Sequence, residues 1–124
     1  MSGSLLLWGL QSPINIGMLL RVAEVYQKKV YIIDTFSVFG RPAAQQTISD
    51  FAVGALGRNP PVFLPGQSIA SIAAIVAGRL IVSTSGSDAE SATKFKWKSS
   101  DCIILGNEYD GLDAGIERKL VPSI

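Results

Sequence analysis

The chain has 124 residues, enough for one domain with a real core and near the lower limit for a sheet covered on both faces. It carries 11 Lys+Arg against 10 Asp+Glu, so bulk charge argues neither for nor against a nucleic-acid partner, and any basic footprint must be local. Histidine is absent, which removes Ser-His-Asp and Cys-His catalysis and most zinc sites, so no metal is expected.

Nearly half the residues are apolar, and in a short chain that excess points to a partner, most often a second copy. Met1 to Leu10 has no basic residue ahead of its short apolar run, unlike a signal peptide. No stretch approaches the roughly 18 apolar residues of a membrane span. A cytoplasmic protein without membrane contact is expected.

Leu5 to Leu10 reads as a first buried strand, broken by Gln11-Ser12-Pro13. Ile14 to Lys28 reads as a helix with two apolar stripes: Ile16, Leu19, Leu20 and Ala23, then Met18, Val22 and Val25. Gly17, Arg21, Glu24 and Lys28 form the polar line between them. A helix apolar on both sides must be covered twice, by its own sheet and by a second subunit. Val30 to Asp34 is the second strand, and Thr35 to Gly40 a connector holding Phe36 and Phe39. Pro42 opens a helix with Ala44, Ile48, Phe51, Ala52, Ala55 and Leu56 at helical spacing and Gly57 as its C-terminal cap.

Val62-Phe63-Leu64 is a brief strand. Ser68 caps a helix whose face is Ile69, Ile72, Ala73 and Val76, ended by Gly78. Leu80 to Ser83 is a strand that runs into the small, polar Thr84-Ser85-Gly86-Ser87-Asp88. Lys94, Lys96 and Lys98 alternate with Phe95 and Trp97, the period of an extended segment: either a basic contact strip or a solvated edge strand. Lys28, Lys29, Arg41, Arg58, Arg118 and Lys119 are further phosphate candidates. Cys102 to Leu105 is an unalternating apolar run, hence a strand buried on both faces, with Cys102 an inert core thiol. It stops at Gly106-Asn107-Glu108-Tyr109-Asp110-Gly111. A carboxylate between glycines at the carboxyl end of a buried strand suits a ligand crevice, and equally a plain strand-to-helix turn. Strands alternating with helices imply an α/β fold, a mostly parallel sheet with helices on both faces.

Two separated segments carry a resemblance. Pro13-Ile-Asn15-Ile-Gly17-Met-Leu-Leu-Arg21-Val-Ala23 and Ile103-Ile-Leu-Gly106-Asn-Glu108-Tyr-Asp-Gly111-Leu112, with Phe51-Ala-Val-Gly-Ala-Leu-Gly57-Arg58 between them, resemble the SpoU (TrmH) family of RNA ribose 2′-O-methyltransferases, part of the SPOUT superfamily. The resemblance covers essentially the whole chain in the correct order. It implies an α/β knot fold, a homodimer formed through helix 15–28, S-adenosylmethionine as cofactor and tRNA or rRNA as substrate. By position, Asn15, Arg21 and Glu108 would be the catalytic residues, and Thr84, Ser85, Gly106 and Gly111 would flank the cofactor. Arg21, Lys28, Arg41, Lys94, Lys96 and Lys98 would meet the RNA.

The implied chemistry is displacement at a sulfonium methyl by a ribose hydroxyl, for which alignment and deprotonation of the hydroxyl are what a protein must supply. The family's third motif, a strand near Ile-Pro-Met followed by a Ser-Leu-Asn-x-Ser-x-Ala helix, would begin after Ile124. Residues 1–124 are therefore expected to form a single SpoU-type domain with the knot-forming C-terminal part absent, cofactor binding weak or absent, and activity open to loss in this form. A catalytically dead RNA-binding or dimerisation module on the same scaffold is the alternative, and an unrelated nucleotide-binding α/β protein the third reading.

Overall fold

A computed structural model describes residues 3–65, 69–76, 78–83 and 96–107. Within these, the apolar runs form one sheet from β1 (Ser4–Trp8), β2 (Lys29–Ile33), β3 (Val62–Phe63), β4 (Leu80–Val82) and β5 (Cys102–Leu105), in the order β3-β2-β1-β5-β4. Every pairing is parallel. Successive side chains of a strand point to opposite faces, and both faces are covered. Leu7, Val30 and Ile32 pack against α1 (Pro13–Val25) and α2 (Pro42–Ala52) through Ile16, Leu20, Ala23, Ala44 and Ile48. Leu6, Tyr31, Ile33, Cys102 and Ile104 pack with Ile72 of α4 (Ile69–Val76) on the other face. A short α3 (Ala55–Arg58) lies between α2 and β3. This is the α/β architecture the unalternating runs predict: a strand with two covered faces has no solvent side on which to place polar residues.

Several element boundaries differ from the sequence reading. β1 stops at Trp8 rather than Leu10, because Gly9 turns with φ +71°. Helix α1 ends at Val25, not Lys28. Gln27 adopts φ +55°, its amide donates to Glu24 O, and the Lys28 amide donates to Ala23 O, a Schellman closure made without glycine. The helical spacing from Ala44 to Leu56 is two helices: Val53 (φ +52°) and Gly54 (φ +86°) break it, and Gly57 lies inside α3 rather than capping α2. Residues 96–98 form no strand. The Asp101 carboxylate accepts the Lys98 amide at 2.7 Å, drawing the segment into a turn instead of a ladder.

Gly17 does not belong to a solvated polar line. It is buried, and a Cβ there would lie 2.7 Å from the Ile48 carbonyl oxygen and 2.8 Å from Phe51 Cβ. Its missing side chain sets how closely α1 and α2 approach. Cys102 is a free, fully buried thiol, and burial pushes its pKa up while a hydrogen bond with Ser4 works against that shift.

Candidate active-site rim

The strand order reverses at β1. One neighbour, β2, is reached through α1, and the other, β5, arrives last among the described strands. The carboxyl ends of β1 and β5 therefore stand side by side at the point where an open α/β sheet forms its ligand crevice. Gly9 is the centre of this rim. Its amide donates to Ile33 O at 2.9 Å, and its carbonyl accepts Asn107 Nδ2 at 2.8 Å, so one residue ties together the ends of β2, β1 and β5. Asn107 is buried, and Gly106 between it and β5 is half-buried.

The same rim receives the amino end of α1. Ser12 is the N-cap: its Oγ accepts the Asn15 amide at 3.2 Å, and Pro13 fills the first helical position. Asn15 itself is exposed in the first turn. Arg21 stands further along α1, about 9 Å beyond Asn15 at the helical rise. It is exposed, and it lies among Ile14, Met18, Val22 and Val25, whose exposures run from 43% to 67%. The second apolar stripe thus faces outward with Arg21 set into it. Asp34, at the end of β2, is engaged locally: its two carboxylate oxygens each accept an amide, from Val38 and Phe39, at 2.9 Å. Arg41, in the loop beyond the same strand, reaches the Phe36 carbonyl at 3.4 Å.

The other sequence-predicted RNA contacts lie elsewhere. Lys28 precedes β2, and Lys96 and Lys98 precede β5, so all three belong to the amino edge of the parallel sheet, opposite Asn15 and Gly106. Arg58 is held there by Glu24, with Nε to Oε2 at 2.6 Å and Nη2 to Oε1 at 2.8 Å, and also donates to Val53 O. That hydrogen-bonded guanidinium lowers the Glu24 pKa. Sequence reasoning missed the corresponding pair on the other side of this edge. Arg79 Nε and Nη2 clamp Asp101 at 3.0 and 2.8 Å, and Arg79 also donates to Lys96 O. The Arg79 guanidinium holds the buried Asp101 carboxyl below the usual carboxylate range, against the effect of burial, and the Lys98 amide adds to the lowering. The signal was a charge placed directly before each apolar run, Arg79 before Leu80 and Asp101 before Cys102.

Glu108, Thr84, Ser85, Gly111 and Lys94 lie outside the described residues, as do Ser68 and residues 108–124 on which the expectation of an open knot rests. The Ser83 amide donates to Ile104 O at 3.0 Å, so the carboxyl end of β4 lies at the same rim as Gly106. The described part of the rim is a half-buried glycine at a strand end beside a buried asparagine that donates to the Gly9 carbonyl. No group of three metal-ligating side chains occurs among the described residues.

The profile of the SpoU rRNA methylase family matches residues 3–122. No curated protein matches the sequence significantly. Among solved structures, an AdoMet-bound rRNA methyltransferase from Sinorhizobium meliloti superposes with TM-score 0.79 at 16% identity, covering 98% of this chain and 46% of that one. A structure concerning 2-OH methylation of C/U34 on tRNA gives TM-score 0.76 at 16% identity, covering 98% of this chain and 77% of that one. The AdoMet complex of the SpoU methyltransferase AviRb from Streptomyces viridochromogenes gives 0.75 at 21%, covering 98% and 46%. The chain spans about half the length of the first and third of these. At such identities the superpositions speak for the fold, and the profile match over nearly the full length speaks for descent. The chain belongs to the SpoU rRNA methylase family.

Proposed function

We propose that this protein is an RNA methyltransferase that uses S-adenosylmethionine to methylate a ribose 2′-hydroxyl of tRNA or rRNA, acting as a homodimer through α1. The observation that carries the reading is the Gly9–Asn107 junction. It sets the amino end of α1, with Asn15, at the same rim as Gly106, the one cofactor candidate described. Support from outside the chain is the family membership, together with two AdoMet-bound neighbours and one concerned with tRNA 2-OH methylation.

In this reading Gly106, Gly111, Thr84 and Ser85 hold the cofactor, which supplies an activated methyl group when bound. A guanidinium offers five N–H donors and no acceptor, so Arg21 serves as a clamp on an RNA phosphate and a stabiliser of negative charge growing on the ribose oxygen. Asn15 orients the substrate or Arg21. Glu108 orders the loop, pairs with Arg21 or takes the proton through water. The outward stripe of Ile14, Met18, Val22 and Val25 is the apolar surface a second copy would cover, and covering it would place each Arg21 inside the interface. The test is methyl transfer from labelled cofactor to bulk RNA. Transfer that falls at least a hundredfold in Arg21→Ala supports the enzyme, in line with about 2.7–4 kcal/mol for a lost oxyanion partner. Salt-sensitive RNA binding without transfer would select the binding module instead.

A further inference from the structure

The amino edge of the sheet, far from the rim, holds a cleft of about 410 Å³ lined by Gly3, Lys28, Trp97, Lys98 and Ser99 over an apolar floor of Leu5 and Ile103. Its volume falls within the range of small-molecule sites. Trp97 is 43% exposed at its wall. At Gly3 an added Cβ would stand 2.8 Å from Lys28 Nζ and 3.2 Å from the Ser99 carbonyl oxygen, so the absence of a side chain there lets the Lys28 ammonium close over the cleft. The surroundings are strongly basic. Lys28, Lys29, Lys96, Lys98, Arg58 and Arg79 gather at this edge, against Glu24 and Asp101 among the described residues facing it. Both carboxylates are already neutralised by arginine, Glu24 by Arg58 and Asp101 by Arg79.

Lysines before β2 and β5 could merely complement the carboxyl ends of the helices that finish at this edge. That accounts for Lys28 behind α1, but not for Lys96 and Lys98, which follow no described helix, nor for a large aromatic ring left at the mouth of an apolar-floored cleft between them. Cations flanking an exposed aromatic ring are the elements of sequence-tolerant single-strand binding: the ring stacks on a base and the ammonium groups track the phosphates.

We propose that this cleft is a second RNA contact, taking one nucleotide of a single-stranded segment with its base on Trp97 and its phosphates on Lys28, Lys96 and Lys98. It rests on the reading of the protein as RNA-acting, and adds to it a contact on the edge opposite the methyl-transfer rim. A strand reaching both would run past the sheet edge, so the substrate is an unpaired or locally opened segment rather than a continuous duplex.

The test is anisotropy titration of a short fluorescein-labelled single-stranded RNA across a salt series with the full chain. Lys96→Gln/Lys98→Gln is expected to weaken binding about tenfold and to lower the slope of log K against log salt by about 1.4, at ~0.7 per phosphate contact. Trp97→Leu is expected to weaken binding by a similar factor of about ten while leaving that slope unchanged, and to diminish RNA-dependent quenching of tryptophan emission, leaving only what Trp8 contributes. Thermal melts of both variants, whose altered side chains are exposed, report any loss of fold. Wild-type affinity and slope in the lysine variant, undiminished quenching in Trp97→Leu, or no RNA binding by the wild type would each overturn the cleft. These readouts need no methyl transfer: a chain that binds RNA as described but transfers nothing defeats the enzyme reading alone, and transfer with unaltered binding in the variants defeats the cleft alone.

Discussion

Asn107 Nδ2 donates to the Gly9 carbonyl at 2.8 Å across 98 positions of sequence, joining the ends of β5 and β1 where the strand order turns back. The bond is buried and directional: the amide is the donor and the carbonyl can only accept. Asn107→Asp keeps the shape but removes the donor, and sets a carboxylate against a carbonyl oxygen. It is expected to cost about 1–3 kcal/mol, the price of an unsatisfied buried group. Urea denaturation checks this, and a variant as stable as wild type would show that the rim is held by other bonds.

Gly17 gives the second expectation. A Cβ at that position meets backbone, the Ile48 carbonyl at 2.7 Å, which cannot swing aside as a side chain would. Gly17→Ala should therefore destabilise by about 1–3 kcal/mol through overpacking, although alanine favours helix by about 1 kcal/mol. A neutral or stabilised variant would mean that α1 and α2 separate freely.

The Asp101–Arg79 clamp predicts a pH dependence of defined sign. The folded-state pKa of Asp101 is lowered, so its contribution is complete above the unfolded value of about 3.9 and fades as pH falls through the folded value. Asp101→Asn should be less stable than wild type at pH 7, by about 2 kcal/mol for a charged hydrogen-bonding group. The difference should start to shrink below about pH 4, where the carboxylate of the unfolded chain begins to take up its proton, and go on shrinking as pH falls through the lowered folded value. Denaturant midpoints at the two pH values measure it. Glu24 shifts in the same direction, but its bridge to Arg58 is open to solvent and surface pairs contribute little.

The outward face of α1 is the test of assembly. Val22→Glu places a charge amid Ile14, Met18 and Val25, away from the core the helix shares with the sheet. If a second copy covers this stripe, the variant should sediment as a monomer while keeping its thermal transition. Wild-type protein that is already monomeric at micromolar concentration would remove α1 as an interface.

Cys102 should react slowly with an aromatic disulfide reagent in the native state and at once in denaturant, since its burial both shields the sulfur and disfavours the thiolate. Rapid native labelling would indicate that the β4–β5 side of the sheet opens easily.

The unalternating runs Leu5-Leu6-Leu7, Val30 to Ile33 and Cys102 to Leu105 were enough to determine a parallel α/β sheet, because only a strand covered on both faces can be apolar at every position. The Asn15–Arg21 and Gly106–Gly111 segments were enough to point to the family. What the sequence could not determine was which charges meet. Lys28, Lys96 and Lys98 had the composition of a substrate contact beside Asn15 and Gly106, yet chain direction puts them at the opposite edge. Arg58 was equally plausible as a phosphate ligand until the fold placed Glu24 against it. The Val53–Gly54 break and the left-handed Gln27 also escaped the periodic pattern, since both are fixed by where the next element must begin. Periodicity is a local property, legible along the chain. The pairing of Asn107 with Gly9, or of Arg79 with Asp101, depends on strand order, and strand order is settled only when the whole sheet has closed its hydrogen bonds.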